Sequence, residues 1–180
     1  MESENDLIKT CIKAGAYKAG VVTTDKIPFD ENLRSYCEVN HCGNYGKNYA
    51  CPPSVGEGKK LIAKAKKYKK ALVFQTVTQI EGSFDLEGMK EAELRHSKIS
   101  AKINQYIQKH FDDYVQLTAG KCSVCPVCAQ IERKPCRFPD KAISSLEAYC
   151  MNVSDLAKLC SMNYINGKDT VTYFGAFLFN

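Results

Sequence analysis

Apolar residues recur at steps of three and four along residues 86–110, which is the spacing of one face of an α-helix. At 1.5 Å per residue such a helix is roughly 37 Å long, enough to cross a whole domain. A histidine on this face is more often a hydrogen-bonded core residue than a metal ligand. The stripe consists of Met89, Ala92, His96, Ile99, Ile103, Tyr106, Ile107 and His110.

Four segments rich in apolar and β-prone residues predict strands at 19–24, 71–77, 114–119 and 170–179. The last of these is apolar on both faces, as expected for a central strand covered on both sides or for one covered by a helix and a loop. Shorter helices are predicted at 4–16, 30–36, from 56 onwards, at 142–149 and at 154–161, the last with Ser154 as its N-cap.

These elements predict one domain over residues 1–180, of the α/β (α+β) class. We expect a four-stranded sheet with the long helix packed on one face, in a ferredoxin-like βαβ arrangement. A cysteine-rich lobe at one end of the sheet, described below, completes the predicted architecture.

The composition is that of a soluble globular protein, with 44% hydrophobic and 25% charged residues. No apolar run approaches the ~20 residues of a membrane-spanning helix, and the N-terminus does not resemble a secretory signal. A cytoplasmic location without membrane association is therefore expected. Ten cysteines in such a chain indicate metal binding rather than disulfides.

The clearest chemical signal is the spacing C-x2-C-x2-C, which begins at Cys122 and is followed by a fourth cysteine, Cys136. Three thiols this close on one loop match the way ferredoxin loops hold a [4Fe–4S] cluster. Zinc is the main alternative, although zinc sites usually take two cysteines from each of two turns. A disulfide or buried-cysteine cluster is a further alternative. The predicted ligands are Cys122, Cys125, Cys128 and Cys136.

Another group of cysteines lies earlier in the chain, in a segment rich in glycine and proline, and consists of Cys37, Cys42 and Cys51. Such a segment forms neither a regular helix nor a central strand, so it is predicted to be an ordered loop held by its thiols. Its GNYGKN portion lacks the spacing of a phosphate-binding loop. We expect the first cysteine loop, residues 37–53, and the second cysteine loop, residues 121–140, to pack together as a metal-binding lobe.

The number of cysteines allows one or two clusters. Cys37, Cys42 and Cys51 are predicted to hold a second metal centre, for which Cys150 is a candidate fourth ligand. In two-cluster ferredoxins the fourth cysteine of the run binds the other cluster, so Cys136 has that alternative. Cys11 and Cys160 lie on apolar faces and are predicted to be core residues.

The net charge of +5 does not by itself indicate nucleic-acid binding. Residues 59–70 contain seven lysines but one aromatic residue, Tyr68, and are interpreted as a solvated helix face. The basic residues near the second cysteine loop have a different use, since a thiolate-held cluster is anionic. They are Lys121, Arg133, Lys134, Arg137 and Lys141.

The chain resembles the DUF2284 family of predicted metal-binding proteins over nearly its whole length. The resemblance rests on Cys42, the Tyr45-Gly46-Lys47 and Cys51-Pro52-Pro53 segments, residues 119–122, Cys125, Cys128, residues 135–139 and the SLEAY segment at 145–149. It implies iron–sulfur or related metal binding in prokaryotic cytoplasm. The sequence departs from the expected pattern at Cys150, where glycine is expected.

Three functions are compatible with these residues. The first is an iron–sulfur protein that passes electrons to a redox partner protein. The second is an enzyme in which a cluster bound by three cysteines keeps one iron open for a small substrate, such as one that contains sulfur. The third is a structural zinc module. The sequence shows no general-base motif, glycine-rich dinucleotide fingerprint or catalytic triad.

Overall fold

The computed structural model describes residues 3–180, which fold around a five-stranded mixed sheet. Its strand order is β1-β2-β5-β3-β4, and adjacent strands are antiparallel except for the parallel pair β3–β4. The four predicted strands are present with shifted bounds, and the short β4 is additional. The strands are β1 (Lys18–Thr23), β2 (Lys70–Gln79), β3 (Tyr114–Thr118), β4 (Ser144–Ser145) and β5 (Thr170–Phe179).

The long helix α4 connects β2 to β3, and β5 lies between these two strands. Both β2 and β3 run antiparallel to β5, so β2–α4–β3 is a split βαβ unit. The predicted mixed α/β class is therefore confirmed, with the ferredoxin-like detail as an approximation. The helices are α1 (Glu4–Ala14), α2 (Arg34–Val39), α3 (Gly58–Ala65), α4 (Leu86–His110) and α5 (Val153–Leu159).

Two local predictions are wrong. Residues 142–149 are not a helix, because Ser144 and Ser145 pair with β3 and only a short 3₁₀ turn, Glu147–Tyr149, follows. Helix α5 begins at Val153 rather than at 154, and its N-cap is Asn152, whose side chain accepts a hydrogen bond from the Asp155 N–H. Asparagine and serine are comparably good N-caps, so the sequence does not distinguish the two positions.

Both faces of the sheet are buried. Helices α1 and α4 cover one face, where Ile99, Ile103 and Ile107 pack with Phe74 and Phe177. Helices α3 and α5, together with the chain around residues 146–151, cover the other face. The prediction that residues 170–179 form a strand covered on both sides is confirmed for residues 174–179, which are buried, whereas residues 170–173 are only partly buried.

His96 is a core residue, as predicted. Its imidazole is 1% exposed and bonds Thr76 Oγ1 at 2.9 Å and Thr118 Oγ1 at 3.1 Å. Burial lowers its pKa to about 4, and the charge of Arg95 acts in the same direction. The histidine therefore stays neutral at physiological pH and links α4 to β2 and to the end of β3.

The absence of a side chain at Gly175 makes room for the Phe74 ring, and a Cβ there would overlap that ring. We expect Gly175→Ala to lower the free energy of unfolding by about 1–3 kcal/mol, because the packed core cannot accept another carbon without shifting. Denaturant unfolding measures the change. Gly20→Ala is the control, since its nearest neighbour would be an ordinary contact at 3.6 Å. Equal stability of the two variants would contradict this packing.

Candidate metal centres and an adjoining cavity

The candidate site lies where β3 separates from β5. Strand β5 pairs with β2 along its whole length, but only residues 176–179 also pair with β3. Beyond Thr118 the chain turns through Gly120, whose φ of 76° suits glycine, and enters the second cysteine loop. This separation leaves the first part of β5 beside an open space at the end of the sheet.

The first cysteine loop begins on α2, which carries Cys37. Arg34, on the same helix, donates hydrogen bonds of 2.6 Å to the carbonyl oxygens of Ala148 and Gly56. These bonds fix α2 to the 3₁₀ turn Glu147–Tyr149 and to the chain before α3. Arg34 thereby positions Cys37 relative to Glu147.

The two cysteine loops contact each other directly, as the sequence predicts. The side-chain amide of Asn48, which is 4% exposed, donates to the Cys122 carbonyl oxygen at 3.1 Å. Tyr49 Oη donates to the Lys134 carbonyl at 2.7 Å, and Gln130 Nε2 donates to Ser54 Oγ at 2.8 Å. That the joined loops bind metal stays a prediction.

The four cysteines of the second loop line one small pocket of about 20 Å³. Residues 48–50 of the first loop form part of its wall, and Ala50 and Ala129 are buried beside it. All four predicted ligands therefore line the same pocket, namely Cys122, Cys125, Cys128 and Cys136.

The three cysteines of the first loop line a different and larger space, a cavity of about 390 Å³. Its other walls come from the chain after β3, from the 3₁₀ turn after β4 and from β5. The polar groups that line it include Lys121, Ser145, Glu147, Thr172 and the phenols Tyr45, Tyr164 and Tyr173, beside Cys37, Cys42 and Cys51.

Burial shifts the titration of several groups in this cavity. The Glu147 side chain is exposed, yet the protein atoms around its carboxyl group desolvate it and raise its pKa, while hydrogen bonds from its own backbone and from Ser145 act in the opposite direction. Desolvation raises the pKa of Cys51 to about 11, and the charges of neighbouring thiols add to this. Desolvation also raises the pKa of Cys37, although Arg34 opposes the shift.

The remaining cysteines lie outside both spaces. Cys11 is fully buried in the core beneath α4, and Cys160 packs against the opposite core; burial raises the pKa to about 12 and about 11, respectively. Cys150 is buried with Sγ against Gly58, at 2.8 Å from where a Cβ of that residue would lie. It lines neither the pocket nor the cavity. Its predicted role as an eighth ligand stays a prediction.

The donor set suits soft metals. All ten cysteines are free thiols, and thiolates are the preferred ligands of zinc and of iron–sulfur clusters. In residues 3–180, no three side chains of His, Cys, Asp or Glu come close enough together to hold one metal ion.

No helix within residues 3–180 has the length and apolar character needed to cross a bilayer.

The fold and the site define a cysteine-rich α/β protein with thiol-lined spaces at one end of its sheet. The chain belongs to the family described as "Predicted metal-binding protein (DUF2284)", which matches residues 20–179. No curated protein and no solved structure matches the chain at a significant level.

The structure adds residues that the spacing of the cysteines does not reveal. Glu147 is noticeable in the sequence only as part of the SLEAY segment, and Arg34 and Tyr173 carry no motif. They reach the site because α2, the 3₁₀ turn and β5 meet at the end of β3. No local sequence pattern predicts that these three elements lie next to one another.

The buried hydrogen bond of Asn48 joins the two loops, so its removal affects both. We expect Asn48→Ala to destabilise the protein by about 1–3 kcal/mol, because the variant leaves the Cys122 carbonyl and the Ala50 N–H without their partner. Thermal unfolding and limited proteolysis near Lys47 and Arg133 measure the effect. Tyr49→Phe, which removes an exposed hydrogen bond, is the control and should change little. Equal behaviour of the variants would show that the Asn48 contact does not hold the loops.

Proposed function

We propose that this protein is an iron–sulfur protein that binds a [4Fe–4S] cluster through Cys122, Cys125, Cys128 and Cys136 and passes electrons to a partner. The observation that carries the proposal is that these four thiols line one pocket, part of whose wall comes from the other loop. When bound, such a cluster supplies one-electron redox chemistry.

The residues of the chain around this pocket have identifiable tasks. Ala50 and Ala129 are buried beside the pocket, where they would shield a bound cluster from water and lower the local dielectric. Arg137 donates to the Val127 carbonyl at 2.9 Å and so braces the loop between the third and fourth cysteines. Its guanidinium group also brings positive charge near four thiolates.

Metal analysis of anaerobically purified protein tests this proposal. We expect iron and sulfide at about four of each per cluster and little zinc. Cys125→Ser should remove about one cluster's worth of iron and change the electron paramagnetic resonance spectrum of the reduced protein. Cys160→Ser is the control, since that thiol lines neither space, and its iron content should equal that of the wild type. Stoichiometric zinc without sulfide would contradict the proposal and favour the structural zinc alternative.

A second candidate function is catalysis at a three-cysteine cluster, and the cavity is the observation that favours it. Cys37, Cys42 and Cys51 line a space of about 390 Å³, which is the size of a small-molecule site. No other cysteine lines this space, so a cluster held there would keep one iron without a protein thiolate. An incoming small molecule would meet the carboxyl of Glu147, which lines the same cavity.

Cys150→Ser separates the two functions. If the second centre has three protein ligands, the variant keeps the iron content of the wild type, whereas Cys42→Ser loses iron. In the Cys150→Ser protein, a small thiol such as 2-mercaptoethanol, added after desalting, should change the spectrum of one centre only. Loss of one cluster's worth of iron in Cys150→Ser would make Cys150 the eighth ligand. Electron transfer would then be the one function that remains.

A further inference from the structure

The second cysteine loop exposes large apolar side chains around its thiols. Val124, Val127, Ile131 and Phe138 are 38%, 53%, 57% and 44% exposed, and we call these four residues the cluster-loop patch. Residues this apolar in a loop would be expected to fold inward, as Ala129 does in the same loop. Exposed apolar side chains grouped on one loop are one mark of a protein-interaction surface.

The charges around the cluster-loop patch are predominantly positive. Residues 121–141 contain five basic and two acidic side chains, a net charge of +3 out of +5 for the whole chain. One of the acidic residues is Glu132, whose Oε2 atom forms ion pairs with Lys134 Nζ at 2.8 Å and with Arg137 Nη2 at 3.8 Å. Arg133 and Lys141 are exposed, and neither forms an ion pair within residues 3–180; Lys141 lies over the Phe138 ring instead.

We propose that the cluster-loop patch is the docking surface for an acidic electron-carrier protein. An apolar centre with a basic rim is complementary to a carrier whose redox centre lies under an apolar spot with acidic residues around it. The proposal rests on the electron-transfer function above and adds the place and the charge of the partner.

The position of the patch suits electron transfer. Val124 and Phe138 line the same small pocket as the four cysteines, so a partner on the patch would be separated from the thiols by about one side chain. The large cavity belongs to the other cysteine group and is not lined by any patch residue. A carrier docked on the patch would therefore leave the cavity open to small molecules. In the docked complex, a cluster held by these thiols would give one electron to the oxidised carrier; the cluster would be oxidised as the carrier is reduced, and no bond would be made or broken.

Electron transfer and binding are both measured with a strongly acidic ferredoxin as the probe and a basic c-type cytochrome for contrast. With the ferredoxin, the second-order rate should fall about tenfold between low and high ionic strength, because salt screens the attraction. With the cytochrome, salt should leave the rate unchanged or raise it. The same salt dependence for both carriers would overturn the proposal.

Two double variants test the rim. Arg133→Gln with Lys141→Gln should slow the ferredoxin reaction at low salt by about threefold to tenfold. Lys67→Gln with Lys69→Gln removes the same charge from exposed positions after α3 and should slow it less than twofold. Equal effects of the two pairs would show that only net charge matters, and the patch would then not be the docking surface.

A third pair tests the apolar centre. Val127→Ser with Ile131→Ser should weaken ferredoxin binding about tenfold by calorimetry, without changing its salt dependence. Ile165→Ser, at a position that is 76% exposed and outside the cluster-loop patch, is the control. Calorimetry needs no redox-active metal, so binding is measured even if the pocket holds zinc. If the pocket holds zinc and the ferredoxin still binds specifically, only the electron-transfer function is refuted. If the pocket holds a cluster but binding is not selective, only the docking surface is refuted. Self-association that depends on Val127 and Ile131 would assign the patch to a second copy instead.

Discussion

Beyond Leu117, β3 no longer pairs with β5, and the rest of the site depends on this separation. A strand that leaves its sheet exposes backbone and side chains that need new partners. The chain supplies them with two loops that have little core of their own. One loop follows β3 directly, and the other comes from α2 and lies against it through the buried amide of Asn48.

The separation also explains why the two groups of cysteines face different surroundings. The second loop turns back on itself and on residues 48–50, which gives a small space with four thiols. The first loop faces the uncovered part of β5 and the turn that carries Glu147, which gives a large space with three thiols. One structural feature thus separates a small pocket lined by four cysteines from a large cavity lined by three.

Long-period patterns in the sequence predict most of the fold. The stripe on residues 86–110 gives α4 with the observed bounds, because 25 residues of helical spacing outweigh local ambiguity. Residues 142–149 are too short for such averaging, and pairing of Ser144 and Ser145 with β3 decides their structure. The cysteine spacings indicate candidate ligands, but the roles of Glu147 and Arg34 depend on contacts between distant elements. Those contacts have no local signature.

Anomalous diffraction from crystals of the anaerobically purified protein, recorded at the iron and zinc absorption edges, tests the central claim most directly. The account predicts an iron signal in the pocket of Cys122, Cys125, Cys128 and Cys136, and a separate iron signal at the cavity wall beside Cys37, Cys42 and Cys51. A zinc signal in the four-thiol pocket, or no metal signal there, would contradict it.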